Sequence, residues 1–403
     1  MYQFVKIGVF AVVLIPLAAC AQHGGLIPAQ TQSQTTGGGS VAANVVQSGA
    51  AQTPAEINHW VPMFTTLPPS SVNFSTLEAQ AAAQKTVPFF TGRVTSPLDH
   101  TSYPFAIVGK SPETSTVATN VLVAPIVLRI HFSDGTELDP TKAACGDTVS
   151  VADRFFKGPN FNKVPLTSNG INVGSTQITD GFQRAEFWSD VRNTGYHTLL
   201  ALTTTTPLIR SVNAPSGSVT VAGVCSGSGH RIGAIDINAY DALVRDVIKT
   251  NVKATNIVPI ILSYNTFETA NNQCCVLGYH SAFSRSEGTQ VYAIGAYNDP
   301  NIFNAPIEDI HAWTHEIGEL FNDPFIDNAT PAWGHIGQVS GCQNNLEVGD
   351  PLTGTAFTVI FNRFTYHPQE LAFFDWFYRT PPEGTGRDFS FKETFERTQA
   401  LCH

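Results

Sequence analysis

The chain has 403 residues, more than one hydrophobic core usually needs, with 42% apolar residues, only 13% charged ones, 32 glycines and 25 prolines. That mixture suits a β-rich globular protein with long loops and argues against a coiled coil. Its 32 acidic residues against 22 Lys and Arg leave a formal charge of −10, so the surface lacks the basic field that gathers phosphate backbones, which argues against nucleic acid as a partner.

Lys6 precedes the apolar run Ile7 to Leu17 and then small residues, the layout of an export signal over residues 1–19 and too short for a stop-transfer span. Leu17-Ala18-Ala19-Cys20 resembles the lipobox of bacterial lipoproteins. The resemblance implies acylation of Cys20, membrane attachment through that lipid and, with Ala21 following, an exported protein at the outer membrane or cell surface. Residues 20–54 are rich in Gln, Thr, Gly, Ser and Ala, too polar to offset the entropy of ordering, and are predicted to form a lipidated, disordered tether. A partly ordered lead-in is expected over 55–95 and one globular domain over 96–403, with a split into two subdomains near residue 230 as the alternative. With Cys20 lipidated, six cysteines remain, an even number that suggests disulfides in an oxidising compartment. Adjacent Cys274 and Cys275 are expected to take separate partners, because a bond between neighbours is strained.

In chain order, Asn120 to Phe132 reads as a strand broken by Pro125, and Ser218 to Val224 as another. Thr179-Asp180-Gly181 opens a helix through Val191 with Phe182, Ala185, Phe187 and Trp188 toward the core. Asp236 can cap a helix whose Tyr240, Leu243, Val244, Val247 and Ile248 recur at helical spacing. Three β-like runs follow, Ile257 to Tyr264, Val276 to Phe283 and Gln290 to Tyr297; the last is a candidate sheet edge on which an extended peptide could add as a strand. A helix is predicted over Pro306 to Phe321, with Asn304 as cap and Pro324 forbidding continuation, and a last one over Gln369 to Tyr378 whose Leu371, Phe373, Phe374, Trp376 and Phe377 form a core stripe.

The segment PIEDIHAWTHEIGELFNDP carries the chemistry. On a helical wheel Ile310, Trp313, Ile317, Leu320 and Phe321 occupy one half, while Glu308, His311, His315, Glu319 and Asn322 occupy the other. His315 and Glu319 are i and i+4, one turn apart on one face, as needed to chelate a cation, and Glu316 sits beside them. This is the spacing of the HExxH zinc helix with Glu in place of the second His, so Glu316 is the candidate general base toward a metal-activated water. Downstream, Glu347 is the first choice for a third ligand, and Asp350 and His311 are the fallbacks. His311, His315 and Glu319 together span about 12 Å along a straight helix, too long for one ion. Asp323 is a candidate partner that orients His315 from outside the ligand set. A plainer alternative is a surface helix with an i,i+4 polar pair.

THEIGELFNDPFIDNATPAW, with GCQNNLEVGDPL, HPQELAFFDWFYRTP and TQITDGFQRAEFW, resembles a group of uncharacterised secreted bacterial proteins with an HExxExxxDP signature, similar to zincin-like metallopeptidases, over roughly residues 170–403. The resemblance implies an α+β fold, with a zincin-like mixed sheet, an active-site helix, a β-rich N-terminal part and long loops, and it implies His315, Glu319 and Glu347 as metal ligands. The only methionines are Met1 and Met63, so no methionine turn follows the motif and a metzincin is disfavoured. The expected activity is metal-dependent hydrolysis of a peptide or protein by Zn²⁺, with Mn²⁺ or Ca²⁺ tolerated by an oxygen-rich ligand set. A cell-surface binding or adhesion lipoprotein with a structural or vestigial metal is the alternative.

Overall fold

The computed structural model describes residues 62–67, 73–225, 228–270 and 273–403, the side chains of 222–229 excepted. The export signal, Cys20 and the tether lie outside the described residues. An eleven-stranded mixed sheet organises the chain. Its strands are β1 (Met63–Leu67), β2 (Ala118–His131), β3 (Glu137–Leu138), β4 (His197–Leu202), β5 (Leu208–Asn213), β6 (Ser218–Cys225), β7 (Ser228–Asp236), β8 (Ile257–Tyr264), β9 (Thr266–Ala270), β10 (Gln273–Arg285) and β11 (Gly288–Tyr297). The order is β6-β7-β9-β10-β11-β8-β2-β3, with β1 pairing β10 and both β4 and β5 pairing β2.

This architecture corrects the α+β, zincin-like expectation. Strands, including further two-stranded sheets such as Phe89–Thr95 with Ser102–Val108 and Ala329–Ile336 with Val339–Asn345, outweigh a few short helices, and the fold is β-rich around one large mixed sheet. The expectation came from a resemblance centred on one helical motif, which says nothing about how many strands surround it.

Period-2 alternation sends side chains to two covered faces. On β2, Val121, Val123 and Val127 join one core cluster and Ile126, Leu128 and Ile130 the other. Ile237–Asn251 forms a helix on the second face, seating Tyr240, Val244, Val247 and Ile248; the Asp236 carboxylate caps it by accepting from Asn238 N and Ala239 N, both at 3.0 Å. Pro125 does not break β2. It falls where the neighbour changes, with residues 118–123 paired to β4 and 126–131 to β5, so its missing N–H costs no ladder bond on that edge.

The motif helix, α1 (His311–Asn322), packs against β10 and β11 on the first face, with Ile310, Trp313, Ile317, Leu320 and Phe321 in the core. It starts five residues later than predicted. Asp309 adopts a left-handed φ of 46° and binds Ile310 N and His367 N, holding 306–309 as a loop. The last helix is likewise shorter, Phe374–Tyr378, because Gln369 N donates to Thr314 Oγ1 at 2.8 Å and draws the preceding residues out along α1.

Cys342 and Cys402 form a disulfide, and Cys274 and Cys275 bond to each other across a cis peptide that brings their Cα atoms to 3.0 Å, correcting the expectation of separate partners. Cys145 is also disulfide-bonded. The Cys342–Cys402 bridge spans a sequence separation of 60, which restricts the unfolded chain by about 4 kcal/mol on a chain-entropy scale. Cys402→Ser is expected to lower the urea midpoint by a corresponding margin; an unchanged midpoint would show that the bridge adds nothing to stability.

Candidate metal centre

All twelve residues of α1 are buried. The half of the helix bearing His311, His315 and Glu319 therefore does not face solvent. It is covered by β10, by the segment Leu346–Gly349, by Gln369 and by Phe64 of β1, which stacks on the His315 ring at 3.7 Å.

His315 is held from outside. Gln369 Nε2 donates to Gly349 O at 2.6 Å, which leaves Gln369 Oε1 to accept from His315 Nδ1 at 3.2 Å. With the ring proton on Nδ1, Nε2 presents a lone pair inward. Nε2 lies 3.0 Å from Glu319 Oε2 and 3.6 Å from Asp350 Oδ1, and it makes no aligned hydrogen bond to any described residue. Gly349 is required by space rather than by dihedral angle: a Cβ there would stand 2.3 Å from His315 Nδ1.

Asp350, not Glu347, completes this set. The ligand atoms of His315, Glu319 and Asp350 all lie within 4.8 Å of one another. Glu347 instead abuts the Glu319 carboxyl, and its Oε1 accepts from Asn345 Nδ2 at 2.9 Å. His311, one turn earlier, is buried, with its pKa pushed down to about 3 by that burial, and it joins neither group.

A second group contains a residue that sequence reasoning passed over. His280, from β10, joins Glu316 and Glu319 with ligand atoms within 4.8 Å. Its Nε2 donates to Asp323 O at 3.2 Å, so Nδ1 carries the lone pair and faces Glu316 Oε2 at 3.3 Å and Glu319 Oε2 at 3.8 Å. Asp323 thus orients His280 through its backbone, rather than His315 through its carboxylate; that carboxylate accepts from Asp327 N at 3.0 Å and Asn328 N at 3.1 Å. Gly278 makes room for Glu316, whose Cγ would lie 2.9 Å from a Cβ at that position. Glu316 Oε1 is buried and has no hydrogen-bond partner among the described residues. Within an apolar strand, one histidine gave no signal of this role.

The electrostatics follow from burial. Desolvation, compounded by the charge of Glu319, pushes Glu316, Glu347 and Asp350 well above the usual carboxylate range. Burial acts on Glu319 too, yet His315 and His280 beside it hold it below that range. Desolvation brings His280 down to about 4. Among the described residues, no Lys or Arg forms an ion pair with any of these carboxylates, whose ion-pair neighbours are His280 and His315. The arrangement can hold a cation: inward lone pairs, anionic oxygens and no other positive charge. A third group, His335 with Cys342 and Cys402, has both its thiols joined as a disulfide. The 270 Å³ surface cavity lined by Asp147, Arg154, Glu308, Asp309 and His367 is separate, and none of the five residues of the two ligand sets lines it.

Two outcomes follow. Gly349→Ala is expected to destabilise the metal-free protein by about 1–3 kcal/mol through overpacking against His315, measured by urea denaturation; a neutral substitution would refute the close approach. In the metal-free protein the raised carboxylates bind protons more tightly folded than unfolded, so their contribution is complete below the ordinary carboxylate range and is lost as pH rises through the raised values. His280 and His311, whose pKa values burial lowers, bind no proton above about pH 7 in either state. Stability should therefore fall as pH rises above about 7 without metal and fall less with it.

No protein family, no curated protein and no solved structure matches the chain, so the reading of this centre rests on its own residues.

Proposed function

We propose that the chain is a metal-dependent hydrolase acting on peptides outside the cytoplasm, with a divalent cation held by His315, Glu319 and Asp350 and with Glu316 as proton acceptor. The observation that carries this reading is the inward Nε2 lone pair of His315, fixed by the Gln369–Gly349 relay and buried against two carboxylates without an aligned donor. A cation bound there would supply Lewis acidity toward water and a substrate carbonyl. Glu316 Oε1, free of partners, would take the proton from the attacking water and return it to the leaving amine. One imidazole with two carboxylates is a hard ligand set, suited to Zn²⁺ and equally to Mn²⁺. Export and lipid attachment through Cys20 are supported by the sequence alone.

Access supports an extended substrate. The expected edge strand, β11, is interior, between β10 and β8. Over residues 276–281 it is β10 that receives an added strand, the chain's own Met63–Leu67, running parallel with Thr66 opposite His280. Phe64 N donates to Gln338 Oε1 at 2.7 Å and Gln338 Nε2 donates back to Phe64 O at 3.0 Å, so this segment is clamped as a peptide ligand would be. A substrate would displace it.

Complete burial of the centre favours a second reading, a structural ion in a surface binding protein. Metal analysis, hydrolysis assays and melting curves separate the two. As a hydrolase, the wild type carries metal, His315→Ala loses the ion at that position, and Glu316→Gln keeps the ion held by His315, Glu319 and Asp350 while activity falls about 10²–10⁴-fold. Phe64→Ala should raise activity severalfold by uncovering His315. If chelation lowers only the melting temperature and Glu316→Gln changes nothing else, the ion is structural.

A further inference from the structure

The ligating groups divide into two sets that meet at one residue: His315, Glu319 and Asp350 form one, His280, Glu316 and Glu319 the other. We infer that the centre takes two divalent cations bridged by the Glu319 carboxylate, the second cation on His280 Nδ1 and Glu316 Oε2. This inference rests on the proposed metal centre and adds a site to it.

Three observations support the second position. His280 is oriented as a ligand is, with Nε2 spent on Asp323 O and Nδ1 turned toward Glu316 Oε2 at 3.3 Å and Glu319 Oε2 at 3.8 Å. A lone pair facing two buried carboxylate oxygens is repulsive unless a proton or a cation lies between them, and a cation satisfies both oxygens at once. Glu319 Oε2 reaches both sets, at 3.0 Å from His315 Nε2 and 3.8 Å from His280 Nδ1, while its Oε1 is anchored by Gly349 N at 3.0 Å. Finally, Glu316, Glu319, Glu347 and Asp350 are four buried carboxylates with no Lys or Arg in an ion pair to any of them among the described residues. Once metal displaces the protons that the raised carboxylates hold in the metal-free fold, two divalent cations balance the four ionised groups, where one leaves half of that charge. Carboxylate-bridged pairs sit about 3.5–4 Å apart and clamp both the attacking and departing atoms of a displacement. Glu316 keeps a role in proton transfer, since Oε2 faces the second cation and Oε1 stays unbonded.

The test is a titration of the metal-free full chain with Mn²⁺ alone, read by bound-metal stoichiometry and electron paramagnetic resonance. Two equivalents per chain, with the second converting an isolated Mn²⁺ spectrum into a spin-coupled one, is the expected result. His280→Gln should bind a single, uncoupled equivalent, and Asp350→Asn should weaken the other position. Saturation of the wild type at one equivalent overturns the second site and leaves the hydrolase reading standing. Binding of none overturns both. His280→Gln that still binds two coupled ions also overturns the assignment, and because the wild-type stoichiometry decides the matter unaided, a variant that fails to fold does not rescue it.

Discussion

Two imidazole lone pairs and four carboxylates are packed into a buried interior without, among the described residues, a Lys or Arg in an ion pair to offset them, and the local structure is built around that constraint. Isolated charges in such surroundings cost several kcal/mol each even after relaxation. A chain does not collect them by accident of packing. Each histidine is locked in the tautomer that turns a bare nitrogen inward, one by Gln369 and one by the Asp323 carbonyl, and two glycines are placed where any side chain would collide with a ligand, Gly349 against His315 and Gly278 against Glu316. These are the supports expected around a cation rather than around an incidental cluster of polar residues.

The fold supplies the rigidity. β10 and β11 lie inside the mixed sheet, α1 is pressed on them by Trp313 and Ile317, and Gly295 on β11 lets the indole approach to where a Cβ would be 3.1 Å away. Ligands therefore come from one rigid helix and one interior strand, with the remaining carboxylates delivered by a loop that Gln369 pins to α1. The lid is of another kind: β1 is a short strand held by one parallel ladder and by Gln338, a smaller attachment than anything beneath it. A site rigid below and lightly covered above is suited to chemistry on a ligand that replaces the cover.

Much of the sheet was legible before the structure. Ile257–Tyr264 follows from β-branched density between turn residues, and the Asp236 cap with its helix from spacing alone. The pairing of His315 with Glu319 was readable because i,i+4 geometry is local. The rest depends on tertiary placement. Asp350 and Glu347 sit three apart in one loop, and nothing in their order says which carboxylate turns toward His315; His280 looks like any strand residue until Asp323 O is seen to hold its ring. The surface-helix alternative fails because amphipathic spacing shows that a face is polar, not that it is wet. The fold class was misjudged for a related reason: one helical motif suggested an architecture that the strands around it do not follow.

The most direct test of the account is a crystal structure of the metal-saturated protein with anomalous difference density collected at the absorption edge of the added ion. The account predicts an anomalous peak at coordinating distance, about 2.0–2.2 Å, from His315 Nε2, with Glu319 and Asp350 oxygens around it. A map with no peak at that nitrogen, and with the carboxylates paired to one another through protons instead, would contradict it.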